Sequence, residues 1–380
     1  MAETPLRRLW EQLLGELMAC PSALEEIEQH LVAQILTPLA QSQYRTGAVS
    51  HSELQPYAAE ISRLSRLYTS HSVGFRLPEP TDTELSAEAY ALYYTPINAA
   101  KILHLAPLVP PAPGPLRVLD FGSGPGTASL ALLSALGVPL KITCVDHSAP
   151  MRRLASRLIS SWRSGGLTSS LDVVAKLPRA GEQQFDLIVA ANSLAELNES
   201  EAVQALEALV ALLSPAGTLI VVEPGQLAHT RRLMRARDAL SETLTPTFPC
   251  TRQGPCPMLR ASESDWCHGT LSWQQPPLNR QLDELLGFNK HRIKYSAFAF
   301  QRGVALRAGY RVTMPARKGA RGIEVSLCGE GFYGPVLIRK GGRSAGTRAL
   351  ERADLLDRVG LSEPPSSELA PTISSESLAP

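Results

Sequence analysis

An α/β fold built on a parallel, doubly wound sheet is what this sequence predicts, and three observations predict it. Short apolar strands alternate with helices between about residues 117 and 225. A Pro-rich run, VPPAPGP at 109–115, closes a helical region and marks where the alternation begins. Three glycines follow the first strand and open a helix, in VLDFGSGPG. Alternation of this kind makes neighbouring strands parallel, because each helix carries the chain back to the same end of the sheet.

The elements follow in order. Leu6, Leu13, Leu14 and Leu17, then Leu24, Ile27, Leu31 and Ile35, recur at three and four positions and read as two helices. SAEAYALYYTPINAAKILHLAPL is a further helical segment. LRVLDF, LKITCV, LDVVAK, FDLIVAA and TLIVVEP read as strands. LALLSALG, MRRLASRLISSW and AVQALEALVALL read as the helices between them. IKYSAFAFQRG and the segment 322–342 are expected as strands completing the sheet's far edge. The domain boundaries expected are a helical domain over 1–108, a core over 116–245, a Cys-rich insertion with a basic sheet-edge region over 246–345, and a tail over 346–380. The last twenty residues are rich in Ser, Pro and Glu and are expected to be disordered.

Composition bounds the class. The chain has 380 residues, 44% of them apolar and 19% charged, as globular proteins do. Its net charge of +1 hides an asymmetry. Residues 1–100 carry six Lys/Arg against twelve Asp/Glu, whereas 290–345 carry twelve Lys/Arg against Glu324 and Glu330 alone. That basic stretch suggests a polyanion-facing surface. No apolar run is long enough to span a membrane, and the acidic residues Glu3, Glu11 and Glu16 are foreign to a transit peptide. A cytoplasmic monomer is expected. In a reducing cytosol clustered cysteines bind metal or do chemistry more readily than they form disulfides.

The glycine loop is D-x-G-x-G-x-G, with Asp120, Gly122, Gly124 and Gly126. A dinucleotide fingerprint would need its third glycine where Thr127 stands, and no Gly-Lys-Ser/Thr of a phosphate loop follows. Asp146 ends the next strand, where a carboxylate can accept both hydrogen bonds of a ribose diol. Together these motifs resemble the class I S-adenosylmethionine-dependent methyltransferases. The resemblance implies a Rossmann-like sheet, with the glycines backing the methionine part of the cofactor and Asp146 on the ribose. Asn192 and Ser193, just past the fourth strand, fall where such enzymes face the methyl donor and acceptor; a capped loop is the alternative. No motif names a catalytic base, and Glu196 and Asp186 are the carboxylates within range. Cys144 lies within a strand and reads as core.

Four cysteines remain as site candidates: Cys250, Cys256 and Cys267, spaced by five and ten residues, and Cys328 sixty further on. Zinc modules usually grip the ion with C-x₂₋₄-C pairs, which are absent here. Iron–sulfur clusters tolerate wider spacing, because the thiolates reach different corners of a larger cage. By spacing alone, idle thiols, zinc (with His268 replacing one thiolate) and an iron–sulfur cluster all stay open.

The order of parts carries a second resemblance. AYALYYTPINAAKIL, the glycine-loop core, VVEPG, HTRRLMRARDAL, CTRQGPCPM, DWCHGTLSW and FNKHRIKYSAFAFQRG follow one another. Over roughly 85–345 the chain is similar to the methyltransferase-like proteins of ribosomal small-subunit assembly. That resemblance implies a [4Fe–4S] cluster on Cys250, Cys256, Cys267 and Cys328, and small-subunit rRNA or its precursor particle as partner. It implies an assembly or translation factor and leaves open whether methyl transfer survives. An active rRNA methyltransferase is the other reading. The basic region agrees: Arg311, Arg317, Lys318 and Arg321 are candidates for phosphate contact. Phe298 and Phe300, two residues apart in a strand, are expected on a buried face.

Overall fold

The computed structural model describes residues 20–70, 83–162, 167–320, 322–329, 331–339, 345–353, 355–359 and 372–373. The helix expected around Leu6–Leu17 and most of the tail fall outside them, as does Arg321. Two compact units form: Met1–Ser214 with Leu271–Ile293, and Pro215–Thr270 with Lys294–Pro380. No helix among the described residues is long and apolar enough to cross a membrane.

The first unit begins with helices α1 (Cys20–Ile35), α2 (Pro38–Thr46), α3 (His51–Ser70) and α4 (Glu84–Leu105). The expected spacing holds in α1, where Leu24, Ile27 and Leu31 are buried. α4 packs against α1, α3 and the helix that follows the glycine loop, which explains why sixteen of its residues are buried and why its sequence shows little amphipathic contrast. Strands β1 (Leu116–Phe121), β2 (Leu140–Val145), β3 (Thr168–Val174) and β4 (Phe185–Ala191) alternate with α5 (Thr127–Ala135), α6 (Ala149–Ser160) and α7 (Glu199–Leu212).

Those strands run β3-β2-β1-β4, all parallel. β1 lies between two neighbours, so Val118, Leu119 and Asp120 are all buried. Local signals set the helix ends. Ser148 caps α6, and Asn198 with Glu201 forms a capping box on α7. The strand order and the turns after β1 and β2 bear out the expected Rossmann-like class I methyltransferase sheet with a helical N-terminal region. α10 (Pro277–Leu286) returns to this unit.

The second unit holds β5 (Leu213–Pro224), α8 (Leu227–Leu240), β6 (Thr245–Phe248), α9 (Pro257–Ala261) and β8 (Arg292–Gln301), with β7 (Gly269–Ser272) at its boundary. β8 pairs antiparallel with β5 and β6. Phe298 and Phe300 are buried within it, as their spacing predicts. A separate five-stranded sheet runs β12-β9-β10-β11-β13, from β9 (Tyr310–Lys318), β10 (Gly322–Gly329), β11 (Phe332–Arg339), β12 (Arg358–Val359) and β13 (Thr372–Ile373). The expectation that 322–342 completes the edge of the first sheet is therefore corrected. β10 is hydrogen-bonded on both sides to β9 and β11, and alternate residues Ile323, Val325 and Leu327 bury against Val312, Val336 and Ile338 in a core of their own.

Candidate functional sites

The first site is the turn between β1 and α5. Gly122 and Ser123 donate their N–H groups to Val145 O at 2.8 and 3.0 Å, tying the turn to the end of β2. Gly122 has φ +64°, and a Cβ there would stand 2.3 Å from Ser193 Cβ. Gly126 has φ +84°, and its Cβ would meet Ile159 Cδ1 at 2.8 Å. Glycine is thus required at both by backbone conformation and by close approach. Gly124 N–H donates to Asp146 Oδ2 at 2.8 Å, and Ser148 N–H to Asp146 Oδ1 at 2.8 Å. Asp146 is therefore fixed by two backbone donors at the end of β2.

Asp120 faces inward. It accepts from Ser129 N–H at 3.0 Å and Ser129 Oγ at 2.8 Å, and burial pushes its carboxyl up to about 6. Its work is to hold the start of α5 against β1. Cys144 is core, as expected. Asn192 adopts φ +58°, and its Oδ1 accepts from Lys101 Nζ at 3.3 Å. Lys101 also donates to Asn98 Oδ1 at 2.8 Å, and Asn98 Nδ2 donates to the Tyr90 hydroxyl at 3.2 Å. Ser193 Oγ is buried and has no hydrogen-bond partner among the described residues.

The two carboxylates in range differ sharply. Asp186 takes a two-pronged bond from Arg117, at 2.7 and 2.9 Å, which holds it below the usual carboxylate range. Glu196 is open to solvent but hemmed in by protein. That crowding, with the charge of Asp146 adding to it, pushes its carboxyl up to about 7. The same carboxylate raises Tyr68 and Tyr90, after burial has done most of the work. Tyr68, Tyr90 and Tyr94 form an aromatic group, with centroids 5.6 Å apart for Tyr68–Tyr94 and 5.1 Å for Tyr90–Tyr94. Sequence reasoning missed these tyrosines, Asn98 and Lys101. Their signal was present: Tyr90, Tyr94, Asn98 and Lys101 follow at helical spacing on one face of α4.

The second site is in the other unit. Cys250 follows β6, Cys256 precedes α9, Cys267 precedes β7 and Cys328 lies in β10. All four are free thiols, and all four line one cavity of about 30 Å³, room for more than a single water. Burial raises each thiol, and neighbouring thiols add to this at Cys256, Cys267 and Cys328, whereas Arg237 and Arg311 pull Cys250 down. Among the described residues no group of three or more His, Cys, Asp or Glu converges as a holder for a metal ion. His268 is turned to Trp266, stacked at 5.0 Å and bonded to its carbonyl at 3.0 Å.

Three arginines also line this cavity: Arg237, Arg252 and Arg311. Arg237 is 1% exposed and donates through Nε to Cys250 Sγ at 3.2 Å. It also donates to Asp238 Oδ1 at 2.8 Å and to the carbonyls of Gly254 and Arg252. Asp238 in turn accepts Cys256 N–H at 2.9 Å. Burial works against the Arg237 charge, but Cys250 and Asp238 outweigh it and hold the group above its ordinary value. Arg311 donates to the carbonyls of Pro249 and Leu356 and lies 5.5 Å from the Phe248 ring; burial brings it down to about 10.

The basic residues therefore divide. Arg311 forms part of the cavity wall. Arg317 and Lys318 are exposed at the end of β9, with Glu324 opposite Arg317 in register and Glu351 3.0 Å from Lys318.

Comparison with known proteins follows this geometry. The family profile described as "Mitochondrial small ribosomal subunit Rsm22" matches residues 86–336, which include the glycine loop and all four cysteines. The human "Ribosome assembly protein METTL17, mitochondrial" is 31% identical over 241 residues, 57% of this chain and 49% of that protein. A hybrid PKS-NRPS synthetase, traA, of Penicillium crustosum is 30% identical over 119 residues, 31% of this chain and 3% of that protein. The chain thus spans about half the length of the first relative and a small part of the second. Among solved structures, the magnesium protoporphyrin IX methyltransferase of Synechocystis PCC 6803 is 14% identical with a TM-score of 0.37, covering 64% of this chain and 91% of that one. The plantazolicin methyltransferase BpumL is 10% identical with a TM-score of 0.38, covering 67% and 100%. Likeness at that level carries no functional argument. The profile match covers well over half of the sequence, and the chain belongs to the Rsm22 family of the mitochondrial small ribosomal subunit.

Proposed function

We propose that this protein is an assembly or translation factor of the small ribosomal subunit that binds rRNA or its precursor particle, holding S-adenosylmethionine in the first site and a [4Fe–4S] cluster in the second. The observation that carries the proposal is that a single family match spans both sites. The first site fits the cofactor. Asp146 is held at the end of β2 by backbone donors, Gly122 leaves no room for a side chain, and the buried Ser193 Oγ lacks a partner. When bound, the cofactor would bring an electrophilic methyl group to the turn after β4.

The donor set of the second site suits a cluster. Four thiols line one cavity, and four cysteine ligands are what such a cluster would use. The thiols are raised, so loading requires their deprotonation. Arg317 and Lys318, exposed at the end of β9, would meet RNA phosphate.

A second reading, an active rRNA methyltransferase, is favoured by Glu196. A carboxyl raised to about 7 beside Tyr68 and Tyr90 is suited to take a proton from an acceptor at neutral pH. One experiment separates the two. Wild-type protein and Asp146→Ala are co-sedimented with small-subunit precursor particles, and the same particles are assayed with methyl-labelled S-adenosylmethionine. Assembly without catalysis predicts that both proteins co-sediment, that Asp146→Ala alone loses the cofactor, and that no label is transferred. Label in the rRNA that disappears in Glu196→Gln would establish the second reading. A wild-type protein that fails to associate with the particle would overturn the proposal.

A further inference from the structure

Three guanidinium groups line the cysteine cavity, Arg237 buried and Arg252 and Arg311 half-buried, and the proposed function uses none of them. A guanidinium removed from water costs several kcal/mol unless negative charge meets it. Arg237 is 1% exposed, and the single carboxylate bonded to it, Asp238, is 29% exposed. Arg311, also in the cavity wall, bonds two carbonyls. With the four thiols protonated, the three wall arginines and Asp238 leave a net positive charge beside the cavity, Asp357 and Arg358 acting on Arg311 in opposite directions.

We infer that Arg237 and Arg311 are counter-cations for an anionic, thiolate-ligated group, Arg237 through a direct N–H···S bond to Cys250 and Arg311 across the cavity wall. The inference rests on the cluster reading above. Four thiolates around a [4Fe–4S] core of formal charge 2+ would leave two negative charges, which the surplus of the three wall arginines over Asp238 balances. Hydrogen bonds to the sulfurs and nearby charge are the levers by which a protein sets such a centre's potential. Reduction adds one electron, and so one further negative charge, which both arginines stabilise. Arg311 thereby acquires a role different from the phosphate contact expected of it. Arg237 also organises the Cys250–Cys256 loop, because it is bonded to the carbonyls of Arg252 and Gly254. Its geometry suits the planar fork better than an ammonium.

The test uses the full chain, purified anaerobically as wild type, Arg237→Lys, Arg237→Gln and Arg311→Gln. Iron and sulfide per protein are measured first. The midpoint potential is then followed by absorbance and electron paramagnetic resonance, with dithionite as reductant and ferricyanide as oxidant. The expected result is a more negative midpoint potential in Arg311→Gln at wild-type iron content and an unchanged far-UV spectrum. Arg237→Gln is expected to shift in the same direction and to lose iron on gel filtration, with Arg237→Lys shifting less. Unchanged potentials in Arg311→Gln and Arg237→Gln at full iron content would overturn the inference and leave the cluster reading standing. If Arg237→Gln fails to fold, Arg311→Gln decides. Wild-type protein with stoichiometric zinc and neither iron nor sulfide sinks the cluster reading itself, and the inference with it, before any variant is compared.

Discussion

The glycine-loop site and the cysteine site are built by opposite means. The first is written along one stretch of chain. Asp120, Gly122, Gly126 and Asp146 lie within 27 residues, and their bonds run between a strand end and the next. The second gathers thiols from positions 250, 256, 267 and 328, out of two loops and one strand. Its supports are just as far-flung: Thr251 Oγ1 donates to Gly309 O at 2.6 Å, and the Tyr333 hydroxyl to Asp265 at 2.7 Å. The first site is held by backbone bonds and by the close approach of its glycines to their neighbours. The second sets guanidinium groups beside raised thiols in the wall of one cavity.

The sharpest way to break that comparison is to place a methyl group at each site. Gly122→Ala would put its Cβ 2.3 Å from Ser193 Cβ at a φ of +64°. Strain and overpacking together are expected to cost roughly 3 kcal/mol or more, read as a lowered melting temperature with cofactor binding abolished. Gly329→Ala would put its Cβ 2.5 Å from Gly309 O and 3.0 Å from Thr251 Oγ1, next in sequence to Cys328 and Cys250. A cost of roughly 2–3 kcal/mol is expected for the clash, with loss of bound metal and little change in cofactor binding. If Gly122→Ala melts as wild type does, the close packing claimed for the first site is wrong. If Gly329→Ala keeps its metal, the second site does not depend on that approach.

What the sequence disclosed follows the same division. β1, the glycine turn and β2 depend on neighbours a few residues away, and all were legible. The tyrosines of α4 were less so. A helix buried on nearly every side has no polar face to reveal which residues meet a site. The register that places Cys328 opposite Arg311 and Tyr333 depends on strand pairing, which spacing does not encode. The second sheet was misassigned for a related reason. Period-two burial in β10 tells that one face is covered, not which strands cover it. Arg311 looked like its exposed neighbours because a basic residue in a strand carries no mark of which side it faces.

The first unit also has long-range ties, and one of them sharpens the comparison further. Glu28 is fully buried and accepts the N–H groups of Leu278 and Asn279, both at 2.8 Å, in the first turn of α10. A carboxylate from 250 residues away thus caps a helix whose own N-cap, Pro276, makes no side-chain bond. Burial raises Glu28 to about 7, against the pull of those bonds and of the Tyr44 hydroxyl. The folded state then binds a proton that the unfolded state releases above its ordinary carboxylate range. Stability from this group is fully present below that range and is lost as pH rises through about 7. Asp120, raised by the same cause, slopes the same way. Glu28→Gln is expected to cost on the order of 1–2 kcal/mol at acidic pH for a mispaired cap and to flatten the fall between pH 5 and 8. Denaturant melts across that range read both effects, and an undiminished slope in the variant would remove Glu28 from the account.

The smallest expected effect on stability lies at the end of β9. Lys318 is 68% exposed and 3.0 Å from Glu351. An exposed pair of this kind contributes about 0.5 kcal/mol or less, so Lys318→Gln should melt almost as wild type does. Its effect on RNA should be of another kind. Losing one phosphate contact weakens binding to small-subunit rRNA regardless of sequence and lowers the salt slope of log affinity by about one. Arg317→Gln should behave alike, since it stands one residue away with Glu324 opposite in register. Arg311→Gln is the control that ties this surface back to the cavity. Its guanidinium is bonded to carbonyls in the wall, so it should leave the salt slope unchanged. A loss of slope in Arg311→Gln and none in Lys318→Gln would reverse the division of the basic residues between the cysteine site and the surface.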